Sequence, residues 1–165
     1  MGVSVAAPAS AALYLGTNRQ NVYVGTAFAD RVVLLGGNDR ARGLAGPDAI
    51  YGGEGADDLR GGMGSDHLAG GSGPDQIEGN GGADAIYAGP GNDLVSPGTG
   101  SDKVWLADGD DEVVLVPDGV VDEVWCGDGT DTVSLIGRRD WRDVLHACEE
   151  TLIVIIDPIG AQLVD

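Results

Sequence analysis

Residues 52–60 read Gly-Gly-Glu-Gly-Ala-Asp-Asp-Leu-Arg, residues 61–69 Gly-Gly-Met-Gly-Ser-Asp-His-Leu-Ala, and residues 70–78 Gly-Gly-Ser-Gly-Pro-Asp-Gln-Ile-Glu. The same nine-residue phrase extends both ways, from Leu34 to Glu112. With its places numbered one to nine, the sixth is Asp at Asp30, Asp39, Asp48, Asp57, Asp66, Asp75, Asp84, Asp93, Asp102 and Asp111. The fourth is Gly at Gly37, Gly46, Gly55, Gly64, Gly73, Gly82, Gly91, Gly100 and Gly109. The eighth is apolar, from Val32, Ala41 and Ile50 to Val104 and Val113. A two-residue insertion precedes Asp122, and the register then resumes through Asp131. A fixed short period is the mark of a stacked-coil architecture.

Each phrase offers six turn-forming places and three extended ones. Glycine at place four suits a positive φ or a close approach to a ligand. Places seven to nine, such as Ala49-Ile50-Tyr51, suit a short strand whose middle side chain points inward. One such strand buries little alone, whereas stacked copies share a continuous core. Aspartates stacked about 4.8 Å apart, the inter-strand spacing, would repel one another. Ca²⁺ is a hard cation that takes six to eight oxygens, and between such carboxylates it turns repulsion into attraction. A solvated acidic face is the alternative, and it leaves the recurrent fourth-place glycine unexplained.

The series resembles the RTX (haemolysin-type) calcium-binding repeat, Gly-Gly-x-Gly-x-Asp-x-U-x with U apolar, over about Gly16 to Ser134. The resemblance implies an all-β fold: a right-handed parallel β-roll with two nonapeptides per turn. It also implies calcium between like loops of neighbouring turns, held by aspartate carboxylates and loop carbonyls. The implied metal residues are Asp39, Asp48, Asp57, Asp66, Asp75, Asp84, Asp93, Asp102 and Asp111, with the nine fourth-place glycines. Asp30, Asp122 and Asp131, in the end loops, are weaker candidates; Phe28 and Val120 replace glycine at place four before Asp30 and Asp122. If alternate repeats share an edge, Asp39, Asp57, Asp75, Asp93 and Asp111 stack on one side. Asp48, Asp66, Asp84 and Asp102 stack on the other. Ions in the gaps would number about seven, with a range of about five to ten.

The chain of 165 residues carries 27 acidic and 9 basic side chains, for a net charge of −18. Twelve of the acids are register aspartates, so most of the acidity is the proposed ligand set. Such a charge argues against nucleic acid or an anionic membrane as partner. The longest apolar run, Leu152–Ile156, is far too short to span a bilayer.

Three segments are expected. Residues 1–15 are small and apolar and resemble the end of a secretory signal, in truncated form, or else form a flexible arm. Residues 16–134 form the roll, opening on degenerate coils. Residues 135–165 form a C-terminal cap. Within it Arg138–Arg142 is charged and irregular, Val144–Ala147 reads as a short helix or turn, and Thr151–Ile156 reads as a strand closing the roll. Cys126 and Cys148 are the two cysteines. In an exported chain such a pair reads as one disulfide, pinning the cap to the last coil. The surrounding Cys-Gly-x-Gly-x-Asp resembles the terminal unit of actinobacterial RTX-like proteins, which implies a secreted bacterial protein.

The two faces differ in their ninth places. One carries an outward stripe of Tyr51, Tyr87, Trp105 and Trp125, and the other is mostly polar. Such a stripe marks a contact surface, covered by the chain's own termini, by a homodimer or other protein partner, or by a glycan. No zinc-protease, nucleophile-elbow or phosphate-loop motif is present. His67 and His146 read as surface residues. The expected function is a secreted calcium-binding structural module that folds on ion binding, not an enzyme. The alternative is adhesion or self-association through the stripe.

Overall fold

The computed structural model describes residues 2–5, 10–136, 143–148 and 150–154. Among them there is no helix, and seventeen strands follow one another. They are β1 (Gly2–Val5), β2 (Leu13–Asn18), β3 (Asn21–Val24), β4 (Arg31–Gly36), β5 (Arg40–Ala45), β6 (Ala49–Glu54), β7 (Asp58–Met63), β8 (His67–Ser72) and β9 (Gln76–Gly81). Then come β10 (Ala85–Tyr87), β11 (Leu94–Thr99), β12 (Lys103–Asp108), β13 (Glu112–Leu115), β14 (Glu123–Asp128), β15 (Thr132–Ile136), β16 (Val144–His146) and β17 (Glu150–Val154). Odd strands make a nine-stranded sheet and even strands an eight-stranded sheet, every pairing parallel and between elements two apart in order. The chain is therefore a parallel β-roll with two repeats per turn.

The core is a layered ladder. Eighth-place side chains such as Ile50, Leu59, Leu68, Ile77 and Ile86 are wholly buried. First-place residues also point inward wherever they are larger than glycine, as at Leu34, Ala88, Leu106 and Leu115. This second column supplements a core that would otherwise rest on one aliphatic side chain per nine residues.

Three expectations are corrected. Ten of the seventeen described strands run six residues rather than three, as in β6, which covers places seven to three of the next phrase. At place two the backbone turns to positive φ, as at Gly53 (φ 115). The ladder survives because each neighbouring coil turns at the same height, so Gly53 still pairs with Leu35 and Gly71. Leu35, Leu44, Asn80 and Ala107 are held in the same turn at φ 80, 84, 78 and 87. L residues adopt that region at a cost of about 1–2 kcal/mol each.

Second, Val144–His146 is strand β16, paired with β14, and not a helix or turn. With β17 on β15, the C-terminal segment continues both sheets. Third, the roll begins before Gly16. β1 pairs with β3 and β2 with β4, so much of the expected arm joins the sheets. Residues 6–9, Arg138–Arg142 and the chain beyond Val154 lie outside the described residues.

Candidate metal centre: two ladders of buried carboxylates

The two corners between the sheets each carry one column of sixth-place residues. On the first edge stand Asp39, Asp57, Asp75, Asp93 and Asp111, joined by Asp131. On the second stand Asp48, Asp66, Asp84 and Asp102, joined by Asp30, Asp122 and Asp143. All but Asp143 are at most 3 % exposed. Each column is tied by one repeated contact. The backbone N–H of a sixth-place residue donates to Oδ1 of its counterpart one turn on. It does so at 2.9 Å from Asp57 to Asp75, 2.8 Å from Asp66 to Asp84 and 2.8 Å from Asp75 to Asp93. The insertion leaves this intact, since Asp102 still donates to Asp122 at 2.9 Å and Asp111 to Asp131 at 3.0 Å. Asp122 in turn donates to Asp143 at 3.1 Å. The sequence had signalled Asp143 only faintly, because it stands 21 residues beyond Asp122. Yet Asp143-Val144-Leu145-His146 obeys places six to nine.

The second oxygen of each carboxylate defines the chemistry. Oδ2 of Asp39, Asp48, Asp57, Asp66, Asp75, Asp84, Asp93, Asp102, Asp111 and Asp131 is buried and meets no protein donor. Buried carboxylate oxygens without donors are costly, and cations are what offset them. In five coils first-place glycine leaves room for this oxygen: a Cβ on Gly43, Gly52, Gly61, Gly70 or Gly79 would collide with Oδ2 of Asp48, Asp57, Asp66, Asp75 or Asp84. Fourth-place glycine serves the stacking. Gly55 has φ 129, and a Cβ there would strike the carbonyl oxygen of Gly37 in the coil before. Carbonyls thus line the corners beside the carboxylates.

Among the described residues no three acidic, histidine or cysteine side chains gather around one point. A cation at a corner could draw on two stacked carboxylates and would complete its shell with main-chain oxygens. That all-oxygen donor set fits Ca²⁺ and not zinc. Along the first edge an open groove of about 750 Å³ borders Asp39, Asp57, Asp75, Asp93 and Asp111.

Burial pushes the carboxyls of Asp48, Asp75, Asp84 and Asp122 up to about 7. It pushes Asp57, Asp93 and Asp102 up to about 6. The N–H from the preceding coil pulls each one down, and neighbouring carboxylates push it further up, as Asp66 and Asp30 do for Asp48. Burial dominates in every case, as expected for charge taken out of water.

The N-terminal coil is built differently. Oδ2 of Asp30 accepts from Thr26 N at 2.7 Å, and its Oδ1 accepts from Ala12 N at 2.6 Å and Thr26 Oγ1 at 3.0 Å. Asn21 replaces aspartate at the head of the first edge and donates both its N–H and its amide to Asp39. These groups are satisfied by the protein itself.

The aromatic stripe is longer than the sequence indicated. Tyr51, His67, Tyr87, Trp105, Trp125 and His146 form one continuous ladder of rings. Tyr87–Trp105, Trp105–Trp125 and Trp125–His146 stack at 4.5, 4.9 and 4.8 Å between centroids, within 6° of parallel. His67 stands two residues before Ala69 on β8 and supplies the ring that the ninth-place alanine, paired with Tyr51 and Tyr87, is too small to hold. Both histidines therefore serve the ladder. Cys126 and Cys148 form the expected disulfide.

No curated protein matches the chain. The family model described as the RTX calcium-binding nonapeptide repeat (4 copies) matches residues 15–40, 35–68 and 60–95. Those residues hold the carboxylate ladders and glycine corners described above, and the same geometry runs on past them to Asp143. Residues 15–95 are RTX calcium-binding nonapeptide repeats.

Proposed function

We propose that the chain is a secreted bacterial structural module that folds when several Ca²⁺ ions, about seven and within about five to ten, enter the two corner ladders. One observation carries this reading: ten register aspartates bury an Oδ2 that finds no donor in the protein. Asp39, Asp48, Asp57, Asp66, Asp75, Asp84, Asp93, Asp102 and Asp111 are the principal ligands, with Asp131 and Asp122 extending the ladders. Asp30 is hydrogen-bonded on both oxygens and takes no part. The bound ion would supply positive charge between stacked carboxylates.

The glycine-rich acidic chain has little reason to compact without that charge. At ~0.1 mM affinity and ~1 mM free ion each site adds on the order of 1.4 kcal/mol, so several together decide between folded and unfolded. The disulfide supports an oxidising, extracellular setting, and the reading gives the chain no catalytic role. Circular dichroism through a calcium titration, with native mass spectrometry for stoichiometry, tests it. Strand signal should appear with calcium, and the folded species should carry five to ten ions. A chain already fully folded in chelator, or one that folds with fewer than five ions, rejects it.

A further inference from the structure

We infer that the outer face of the even-stranded sheet is a self-association surface that pairs two calcium-loaded copies of this chain face to face. The inference rests on the calcium reading above and adds a partner to it. Charge is the first argument. The eight even strands present sixteen outward positions at places seven and nine, and three are charged: Arg31, Lys103 and Glu123. Arg31 lies over the Tyr51 ring at 5.4 Å, and Lys103 pairs with Glu123 at 3.8 Å. The face is thus near neutral on a chain of net charge −18. With about seven dications bound the whole chain falls to about −4, so loaded copies meet with little repulsion and unloaded ones do not.

Shape sets the strength of the contact. Eight strands about 4.8 Å apart, each presenting places seven to nine before the turn at place two, give a narrow strip of roughly 350 Å². That is below the ~800 Å² per partner of a tight interface, so the pairing is weak and concentration-dependent. The strip's stacked tryptophan and tyrosine, with few charges among them, match the centre of an interface. Leu13 and Leu15, on the outermost described even strand, are 78 % and 68 % exposed. In an antiparallel two-fold arrangement the Leu13 and Leu15 end of one copy meets the Val144 and His146 end of the other. A stacking sugar fits the face poorly. Trp105 and Trp125 are sandwiched within the ladder, so their flat surfaces already belong to neighbours and only their rims point outward.

Sedimentation velocity of the full chain, at tens of micromolar, in millimolar calcium and in chelator, tests the pairing. The wild type should sediment as a dimer in calcium and not in chelator. Leu15→Glu, which puts a carboxylate on the face outside the ladder, and Trp105→Thr should each give monomers. Calcium uptake by calorimetry should stay unchanged in both. A wild type that takes up calcium, gains strand signal and remains monomeric overturns the pairing while leaving the calcium reading intact. That result would mean the chain's own termini or another partner cover the face. A dimer untouched by both substitutions, or equally formed in chelator, overturns it as well. A chain that neither binds calcium nor folds with it overturns the underlying reading and the pairing together.

Discussion

The side-chain amide of Asn21 donates to Oδ1 of Asp39 at 3.0 Å, at the head of a column where every later member is an aspartate. Tyr14 and Thr17 donate in turn to the amide oxygen of Asn21, at 3.3 and 3.2 Å. A neutral donor thus stands where the next gaps set carboxylate above carboxylate. The first coil satisfies these groups through hydrogen bonds, whereas the middle coils bury Oδ2 atoms that meet no protein donor. Asn21→Asp should remove this donor and place a new carboxylate beside Asp39. We expect a loss of about 1–3 kcal/mol in low calcium, seen as a titration midpoint moved to higher calcium. An unchanged midpoint would show that the amide does not stand in for an ion.

Interior aspartates should behave unlike surface ones. Asp75 accepts from Asp57 N at 2.9 Å through Oδ1 and carries a buried Oδ2 without a donor. Asp75→Asn keeps the first contact and weakens the second oxygen's claim on a cation. Since Asp75 borders two gaps, the folded protein should lose one or two ions by native mass spectrometry. Asp58→Asn removes a surface ion-pair partner of Arg40 and Arg60. Exposed pairs contribute little, so stability in calcium should change by no more than about 0.5–1 kcal/mol. Equal ion counts in both variants would remove Asp75 from the ligand set.

Two glycines separate strain from collision. Gly55 (φ 129) and Gly119 (φ 86) both lie in the left-handed region. A Cβ at Gly55 meets the backbone of Gly37, whereas one at Gly119 meets nothing within 4 Å. Alanine at Gly119 should cost about 1–2 kcal/mol for backbone strain alone. Alanine at Gly55 must also push neighbouring coils apart, so its cost should exceed this and its calcium affinity should fall. Thermal melts at saturating calcium decide. Equal losses would mean that close stacking at place four is not required.

Protons should partly replace calcium. Burial raises Asp48, Asp75, Asp84 and Asp122 to about 7, and Asp57, Asp93 and Asp102 to about 6, from 3.8. Between pH 4 and 7 the folded coil therefore holds more protons than the unfolded chain. Stability in chelator is then greatest at acid pH and falls as pH rises through about 7. Calcium affinity runs the other way, climbing to about pH 7 as protons leave. In chelator, strand signal should be stronger at pH 5.5 than at pH 7.5. Calorimetry in buffers of different ionisation heat should show proton release on calcium binding at pH 6.5. No release would mean that the carboxylates are ionised before the metal arrives.

The roll, its eighth-place core and its two aspartate columns were legible because one rigid period governs them. A place in the phrase maps to one height and one side. What stayed hidden broke that mapping. First-place glycines masked the inward direction that Leu34 and Leu106 reveal. Asp143 follows a gap of 21 residues, so a count by eighteens passes over it. His67 stands at place seven and the other ladder rings before β16 at place nine. These two places share one face, and a ring from either can bridge a neighbour as small as Ala69. His146 reached the ladder only because Val144–His146 became a strand.

The disulfide tests whether the roll has a weak end. Cys126 is fully buried at place one, and Cys148 joins it from the coil after, with 5.1 Å between Cα atoms. The bridge encloses β15 and β16, so its loss frees the last coils more than the centre. By loop entropy it contributes roughly 3 kcal/mol. The middle coils keep their own contacts, because each coil of a solenoid depends chiefly on its neighbours. In the Cys126→Ser, Cys148→Ser protein at saturating calcium, hydrogen exchange should speed up first in β14 and β16. β6 to β9 should stay protected. Uniform deprotection along the chain would show that the roll opens as one unit and that the bridge has no local task.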